Sequence, residues 1–339
     1  MILTRRHLLA ATTLTANPAR AAVPRFEPAP DLAAAAKREG RVVLYTAQIE
    51  ELEQEMINEF NHRFPFVRVE MVHAPGGQLI TRIRSEMANG KLVADIIDHS
   101  DPNVLKPIED AFRDYAPPNA ADWITSVMVS PKLWPRLTVG WCIAWNSEII
   151  SQTPTSWWDL MQPQNAGQLG QATAFAGGSS WTRIMFERKV LGEDYWAKQA
   201  ALKPRIYPTV AATTDALIRG EVAVAPVTYA IVVPKQRDGA PLKSVFPKEG
   251  VPSFIFASGI TKTAANPAAA RLYLDWCLSA EGQAFLIQEL GHMTALKVPP
   301  VQPAGLDTGA GLWFPDRTES DRLRVAWLEE WSKLFGVRQ

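Results

Sequence analysis

The stretch Gly220-Glu-Val-Ala-Val-Ala-Pro-Val-Thr-Tyr-Ala-Ile-Val-Val233 decides the fold class. After a Gly-Glu breaker, Val222, Val224 and Val227 stand between small alanines, the composition of a buried strand. The polar pair Thr228-Tyr229 then interrupts the apolar run, which resumes at Ala230. Hydrogen-bonding side chains at the carboxyl end of a buried strand sit where open α/β sheets hold ligands. The plainer alternative makes Tyr229 a half-buried core tyrosine with a satisfied hydroxyl.

Outward from this strand the pattern is α/β on both sides. Asp31 to Glu39 reads as an alanine-rich helix stopped by Gly40, and Arg41 to Thr46 as a short buried strand. Ile49, Leu52, Met56, Ile57 and Phe60 recur at helical spacing. Val67, Val69 and Met71 alternate as a strand, Leu79 to Met87 form a helix closed by Asn89-Gly90, and Ala94 to Ile97 form a third strand. This β-α-β-α-β order requires parallel strands with helical crossovers. Residues 102–135 are irregular, and a strong strand runs from Thr138 to Trp145. Ser156-Trp-Trp-Asp159 has the spacing of a capping box. Gly177-Gly178-Ser179-Ser180 opens a helix reaching Phe186, Tyr195 to Leu202 form another, and Thr213 or Thr214 caps a short one. Ser253 to Ile260 is the return strand, and Asn266 caps a helix that starts at Pro267. A last amphipathic helix carries Leu323, Trp327, Trp331, Leu334 and Phe335. The expected organisation is an export signal at 1–21, one lobe of 38–140 plus 254–296, and a second of 141–253 plus 297–339. Two lobes crossed more than once leave a cleft between them that closes by hinge motion.

The 339 residues are 47% hydrophobic and carry 35 basic and 35 acidic groups. A net charge of zero excludes a nucleic-acid partner, which needs a clear basic excess. Thr4-Arg5-Arg6-His7-Leu8-Leu9 resembles a twin-arginine export signal ending at Ala19-Arg20-Ala21. Cutting there removes Arg5, Arg6 and Arg20 and no acid, so the mature chain would carry a net charge of −3. No later run is long and apolar enough for a membrane span. Cys142 and Cys277 read as buried thiols. No metalloprotease, nucleophile-elbow, Walker or dinucleotide motif is present, so neither an enzyme nor a cofactor is expected. His99, flanked by Asp98 and Asp101, is the histidine to test for metal or ligand contact.

Six stretches in order resemble one family: Gly40-Arg-Val-Val-Leu-Tyr-Thr46, Glu59-Phe-Asn-His-Arg-Phe-Pro65, Ala94-Asp-Ile-Ile97, Leu191-Gly-Glu-Asp-Tyr-Trp196, Gly220-Glu-Val-Ala223 and the segment from Asn266-Pro to Leu290-Gly. They are similar to periplasmic solute-binding proteins of ABC importers (extracellular solute-binding family 1), of the type that includes ferric-binding proteins. The resemblance implies a two-lobed type II periplasmic binding fold, a small-molecule solute, an ABC permease in the inner membrane and a monomer in the periplasm. It does not carry iron with it. Where ferric-binding relatives place a histidine, a glutamate and adjacent tyrosines, this chain has Ile49, Ser100 and Thr228-Tyr229-Ala230. A hard trivalent cation needs charge donated by phenolates and carboxylates. The expected ligand residues are Thr46, Ser100, Asp101, Ser179, Ser180, Trp181, Thr228 and Tyr229, with His99 and Tyr229 as weak metal candidates. Ser179 and Ser180 have a plain N-cap as alternative, Trp181 a place in the core, and Arg183 either solvent or a carboxylate. The solute expected is a small organic anion: a carboxylate, phosphonate or phosphate ester. Ferric iron, and a sensor presenting its closed form to a receptor, are the alternatives. Tyr229→Phe is expected to weaken binding with little loss of stability.

Overall fold

The computed structural model describes residues 23–128, 130–306 and 311–337. The export signal expected over 1–21 therefore lies outside the described residues. Among these, no helix is long and apolar enough to cross a membrane.

The amino-terminal part runs α1 (Pro30–Glu39), β1 (Arg41–Thr46), α2 (Glu50–Arg63), β2 (Arg68–His73), α3 (Gly76–Ala88), β3 (Ile96–His99) and a short α4 (Pro102–Leu105). β1 pairs in parallel with both β2 and β3, as helical crossovers require. Helix α2 buries Leu52, Met56, Ile57 and Phe60, the stripe legible in its spacing. The third strand starts two residues later than its sequence indicates. Asp95 precedes it because its carboxylate accepts hydrogen bonds from the backbone of Val43 (2.8 Å) and Asn266 (2.9 Å). Asp98 and His99 consequently lie within β3.

β4 (Trp134–Asn146) is the long element that joins the two parts. After it come β5 (Gly170–Ala172), α5 (Gly178–Phe186), α6 (Tyr195–Ala201), β6 (Arg205–Tyr207), α7 (Val210–Ile218), β7 (Val224–Thr228), α8 (Tyr229–Arg237) and β8 (Leu242–Val245). The chain returns in β9 (Val251–Ile260) and ends with α9 (Pro267–Cys277), α10 (Ala280–Gln288), β10 (Leu312–Trp313) and α11 (Arg317–Phe335). The main sheet has the order β2-β1-β3-β9-β4-β7, with β10 on β9 and β8 on β4. β4 pairs antiparallel with β9 as far as Gly140, then with β7 and β8 from Trp141 onward. A Cβ at Gly140 would stand 2.8 Å from Val251 Cγ1, so the crossing point tolerates no side chain.

Local chemistry corrects two helix starts. Thr209, rather than Thr213 or Thr214, caps α7 by accepting from the Ala212 N–H, while both other threonines donate back to carbonyls one turn earlier. Asn266 occupies the N-cap position of α9 but gives its side chain to Asp95; the Glu39 carboxylate accepts the free N–H groups of Ala268 and Ala269. The Ser156/Asp159 capping box is present and opens a single 3-10 turn. Cys142 and Cys277 are free and buried, and burial pushes the Cys277 thiol up to about 12. Helix α11 lies across the second half of the molecule. Trp327 packs edge-on against Trp181 and Trp196, Trp331 packs against Phe175, and Glu319 and Glu330 pair with Lys189 and Arg188.

Candidate functional site

In a parallel βα unit the carboxyl end of each strand feeds the amino end of a helix, so those turns collect on one side of a sheet. Here six of them meet around one cavity of 770 Å³. Its wall is Ala47–Glu50 between β1 and α2, Pro75–Gly77 before α3, and His99–Asp101 between β3 and α4. Opposite stand Phe175–Ser179 before α5, Pro208–Ala211 between β6 and α7, and Thr228, Ala230 and Ile231 between β7 and α8. Val139, Phe254 and Phe256 of β4 and β9 line it as well. Cavity and sheet switch point coincide, and both halves of the chain contribute.

The helix ends differ in how their free N–H groups are satisfied. Asp101 caps α4 and Thr209 caps α7. α2 has three acids in its first turn. Helices α3, α5 and α8 have neither a side-chain cap nor an acid in the first turn. Each leaves backbone donors and the positive end of a dipole directed toward the cavity. Two glycines permit this crowding. A Cβ at Gly76 would lie 3.0 Å from His99 Nε2, and one at Gly178 would lie 3.1 Å from the Ser100 carbonyl and 3.2 Å from Asp101 Cβ.

Of the residues singled out in the sequence, Ser100, Asp101, Ser179, Thr228 and His99 line the cavity together. Ser179 does so from inside the first turn of α5, since Gly177 is the N-cap residue. The other four turn elsewhere. Thr46 is fully buried; its hydroxyl lies 3.1 Å from Asp98 Oδ2 and accepts from the Gln48 N–H. Ser180 is fully buried in α5. Trp181 is core, its indole N–H donating to Ser320 Oγ at 2.7 Å. Tyr229 packs its ring 4.7 Å from that of Phe246 and donates its hydroxyl to the Ala304 carbonyl. This is the satisfied core tyrosine of the plainer reading. Burial raises its phenol above the ordinary value, which further disfavours a phenolate. Arg183 does reach a carboxylate, Glu187 of the next turn, and both are fully buried. For His99, Nδ1 accepts from the Asp101 N–H and Nε2 lies 3.0 Å from the Gly76 carbonyl, so both ring nitrogens are engaged.

The site has members that local sequence does not announce. Arg324 of α11 reaches the cavity and places Nη1 2.7 Å from Asp101 Oδ2. Gln48 is held on the wall by Ile49 N–H, which donates to its Oε1, and by His292, whose Nε2 lies 3.2 Å from its Nε2. Burial, reinforced by the charge of Arg136, pushes His292 down to about 3, so it stands neutral beside Gln48. Beneath the turn, Arg136 is fully buried between Glu53 (2.7 Å) and Asp98 (2.7 Å). Ser258 and Tyr273 donate their hydroxyls to the same carboxylates.

Residues 46–284 match the family described as "Bacterial extracellular solute-binding protein". A Haemophilus influenzae relative, named only as an uncharacterized protein, is 30% identical over 142 residues, a match spanning 40% of each chain. The fold is similar to that of the substrate binding protein of an ABC transporter from Agrobacterium tumefaciens, with a TM-score of 0.71 and 17% identity over 87% of this chain and 94% of that one. It is similar also to iron-bound HitA from Pseudomonas aeruginosa (TM-score 0.66, 18% identity, 86% and 99% covered). A third likeness is to the periplasmic binding protein AfuA from Actinobacillus pleuropneumoniae with fructose-6-phosphate bound (0.65, 20%, 88% and 99%). At such identities the likeness is one of fold, the two-lobed type II periplasmic binding fold.

Proposed function

The chain belongs to the bacterial extracellular solute-binding protein family, and from that premise we propose that it is the substrate-binding component of an ABC transporter, like the protein of similar fold from Agrobacterium tumefaciens, and that its solute is a small organic anion. The classes that fit are carboxylates, phosphonates and phosphate esters. The observation that carries this reading is the meeting of three uncapped, acid-free helix starts, α3, α5 and α8, on one cavity. Free backbone N–H groups at a helix start bind anionic oxygen and disfavour a bare cation. Thr228, Ser179 and Ser100 add neutral hydroxyls, and Phe175, Phe254 and Phe256 supply the apolar surface that an organic skeleton needs. AfuA, of similar fold, holds a sugar phosphate.

Ferric iron is the second reading, since HitA of the same fold is iron-bound. It is the weaker one here because no tyrosine is among the described residues lining the cavity, and Asp101 is already paired with Arg324. We place the lobe division where β4 changes partners, giving 38–140 plus 254–296 and 141–253 plus 297–339, with hinge closure over the solute. The family implies a membrane permease as partner and a periplasmic location. We assign export to the twin-arginine signal at Thr4–Leu9 and a monomeric state to the mature protein.

The test is a thermal-shift screen of the protein beginning at Ala22 against phosphate, fructose 6-phosphate, phosphonoacetate, citrate, spermidine and ferric chloride. A ligand at about 100 times its dissociation constant adds about 2.7 kcal/mol of stability. Stabilisation by an organic anion is expected. Stabilisation by ferric chloride together with a visible phenolate charge-transfer band, or by spermidine alone, would overturn the proposal.

A further inference from the structure

We infer that Arg324 is the residue through which this cleft reads the charge of its solute, and the inference rests on the organic-anion reading above. Among the described residues lining the cavity it is the only lysine or arginine. Its side chain keeps 31% of its surface exposed, whereas that of Asp101 keeps 10%. A guanidinium has five N–H donors in a rigid fork. Only Nη1 is engaged, by Asp101, among the contacts of the described residues. The remaining edge is open to bidentate bonding with a carboxylate or phosphate, the geometry for which arginine is suited and lysine is not.

Arg324 is held firmly in place. Four residues before it on α11, Ser320 accepts the Trp181 indole N–H; three residues after it, Trp327 packs against Trp181 and Trp196. Its partner is fixed as well, because the other oxygen of Asp101 caps α4 through the Asn103 N–H. The uncapped start of α5 adjoins the same aspartate, with Gly178 in contact with Ser100 and Asp101. Two independent donor groups, the fork of Arg324 and the first N–H groups of α5, therefore flank one carboxylate. An anionic group of the solute placed beside Asp101 receives both. Asp101 orients the guanidinium and offsets its charge while no solute is present, which lowers the affinity for anions in general and leaves discrimination to the fit at the fork.

Calorimetric titration of phosphate, citrate and fructose 6-phosphate tests this, with fructose as the uncharged control, on the wild type, Arg324→Gln, Arg324→Lys and Asp101→Asn. Arg324→Gln is expected to weaken whichever anion the wild type binds by about tenfold or more, and Arg324→Lys to recover little of it, since a single ammonium cannot replace the fork. Asp101→Asn keeps the α4 cap and removes the opposing charge, so it should tighten the same anion severalfold. The melting temperature of the unliganded Arg324 variants should stay close to wild type, separating charge reading from a structural role. If Arg324→Gln does not fold, Arg324→Lys carries the comparison. Anion binding within about threefold of wild type in the Arg324 variants, or equal weakening by Asp101→Asn, overturns the role of Arg324 and leaves the anion reading intact. Failure of the wild type to bind all three anions removes the anion reading and this inference with it.

Discussion

Neutral His292 provides the sharpest test of the buried chemistry behind the cleft. The imidazole is 1% exposed, and burial holds it down to about 3 from an ordinary value of 6.5. Gln48 can donate to Nε2 only while that nitrogen keeps its lone pair. The unfolded chain takes up the proton at about 6.5, well before the folded protein does, so the unfolded state binds more protons in that window. Stability from this group is therefore complete above pH 6.5 and is lost progressively as the pH falls toward 3. Linkage with these two values gives a loss of about 2 kcal/mol between pH 6.5 and pH 4.5 from this one side chain. His292→Gln keeps an acceptor for Gln48 and removes the titration. Urea unfolding at pH 6.5, 5.5 and 4.5 should show the variant losing less stability on acidification than the wild type by about that amount. The surface carboxylates common to both proteins cancel in the difference. Parallel pH profiles would show that His292 does not stay neutral in the folded protein over this range.

Gly178→Val puts a branched side chain where a Cβ alone already meets Ser100 and Asp101 at 3.1 and 3.2 Å; affinity for the bound anion should fall by about tenfold with the melting temperature nearly unchanged, because the contact joins β3–α4 to α5 across the cleft. Unaltered affinity would show that these turns do not approach further on binding. Tyr229→Phe, expected from sequence to weaken binding, should instead cost about 1 kcal/mol of stability through the lost bond to the Ala304 carbonyl and leave affinity alone; weaker binding at full stability would restore the sequence expectation. Arg136→Met strands Glu53 and Asp98 as buried carboxylates and should cost about 3–5 kcal/mol in urea unfolding, and a smaller loss than 1 kcal/mol would mean that the pair is solvated.

Strand and helix periodicity made the α/β alternation legible, because burial on one helix face or along a strand leaves a local signature. Leu52, Met56, Ile57 and Phe60 of α2 fold as their pattern reads, and so does the run from Ser253 to Ile260, which the strand extends back to Val251. The start of α5 at paired glycines was equally legible, and it brought Ser179 to the cavity. Direction within a step was not legible. Thr228 ends β7 facing the cavity, but Tyr229 is the first residue of α8, and the change from extended to helical backbone turns its ring to Phe246. Trp181 and Ser180 follow Ser179 around the same helix and therefore point into the core. Arg324 carried no signal, since its partner lies 223 residues away and its own surroundings on α11 are an ordinary charged helix face.

The placement of Thr46 and Asp98 keeps a buried carboxylate off the wall of the cleft, as the proposed anionic solute requires. Both follow or end strands whose carboxyl ends point to the cavity, which made Thr46 a reasonable ligand residue. Yet Asp98 is fully buried, paired with Arg136 and hydrogen-bonded by Ser258. The Thr46 hydroxyl lies against Asp98 on one side and accepts from Gln48 N–H on the other, so the buried charge fixes the turn that carries Gln48 and Ile49 to the wall. A carboxylate that would otherwise repel an anion is withdrawn below the surface and matched there. Burying charge so completely is justified energetically only when its hydrogen bonds are filled, and Arg136 together with the hydroxyls of Ser258 and Tyr273 fills most of them. With Asp98 withdrawn and Asp101 matched by Arg324, the polar side chains left on the cavity wall are hydroxyls, Gln48, His73 and His99, together with phenylalanines and helix starts, beside the two acids Glu50 and Glu51 at the head of α2. On the proposed reading, an anionic group would be stabilised at the wall formed by α5 and α8, where Arg324, held on α11 against Trp181, already stands beside the start of α5.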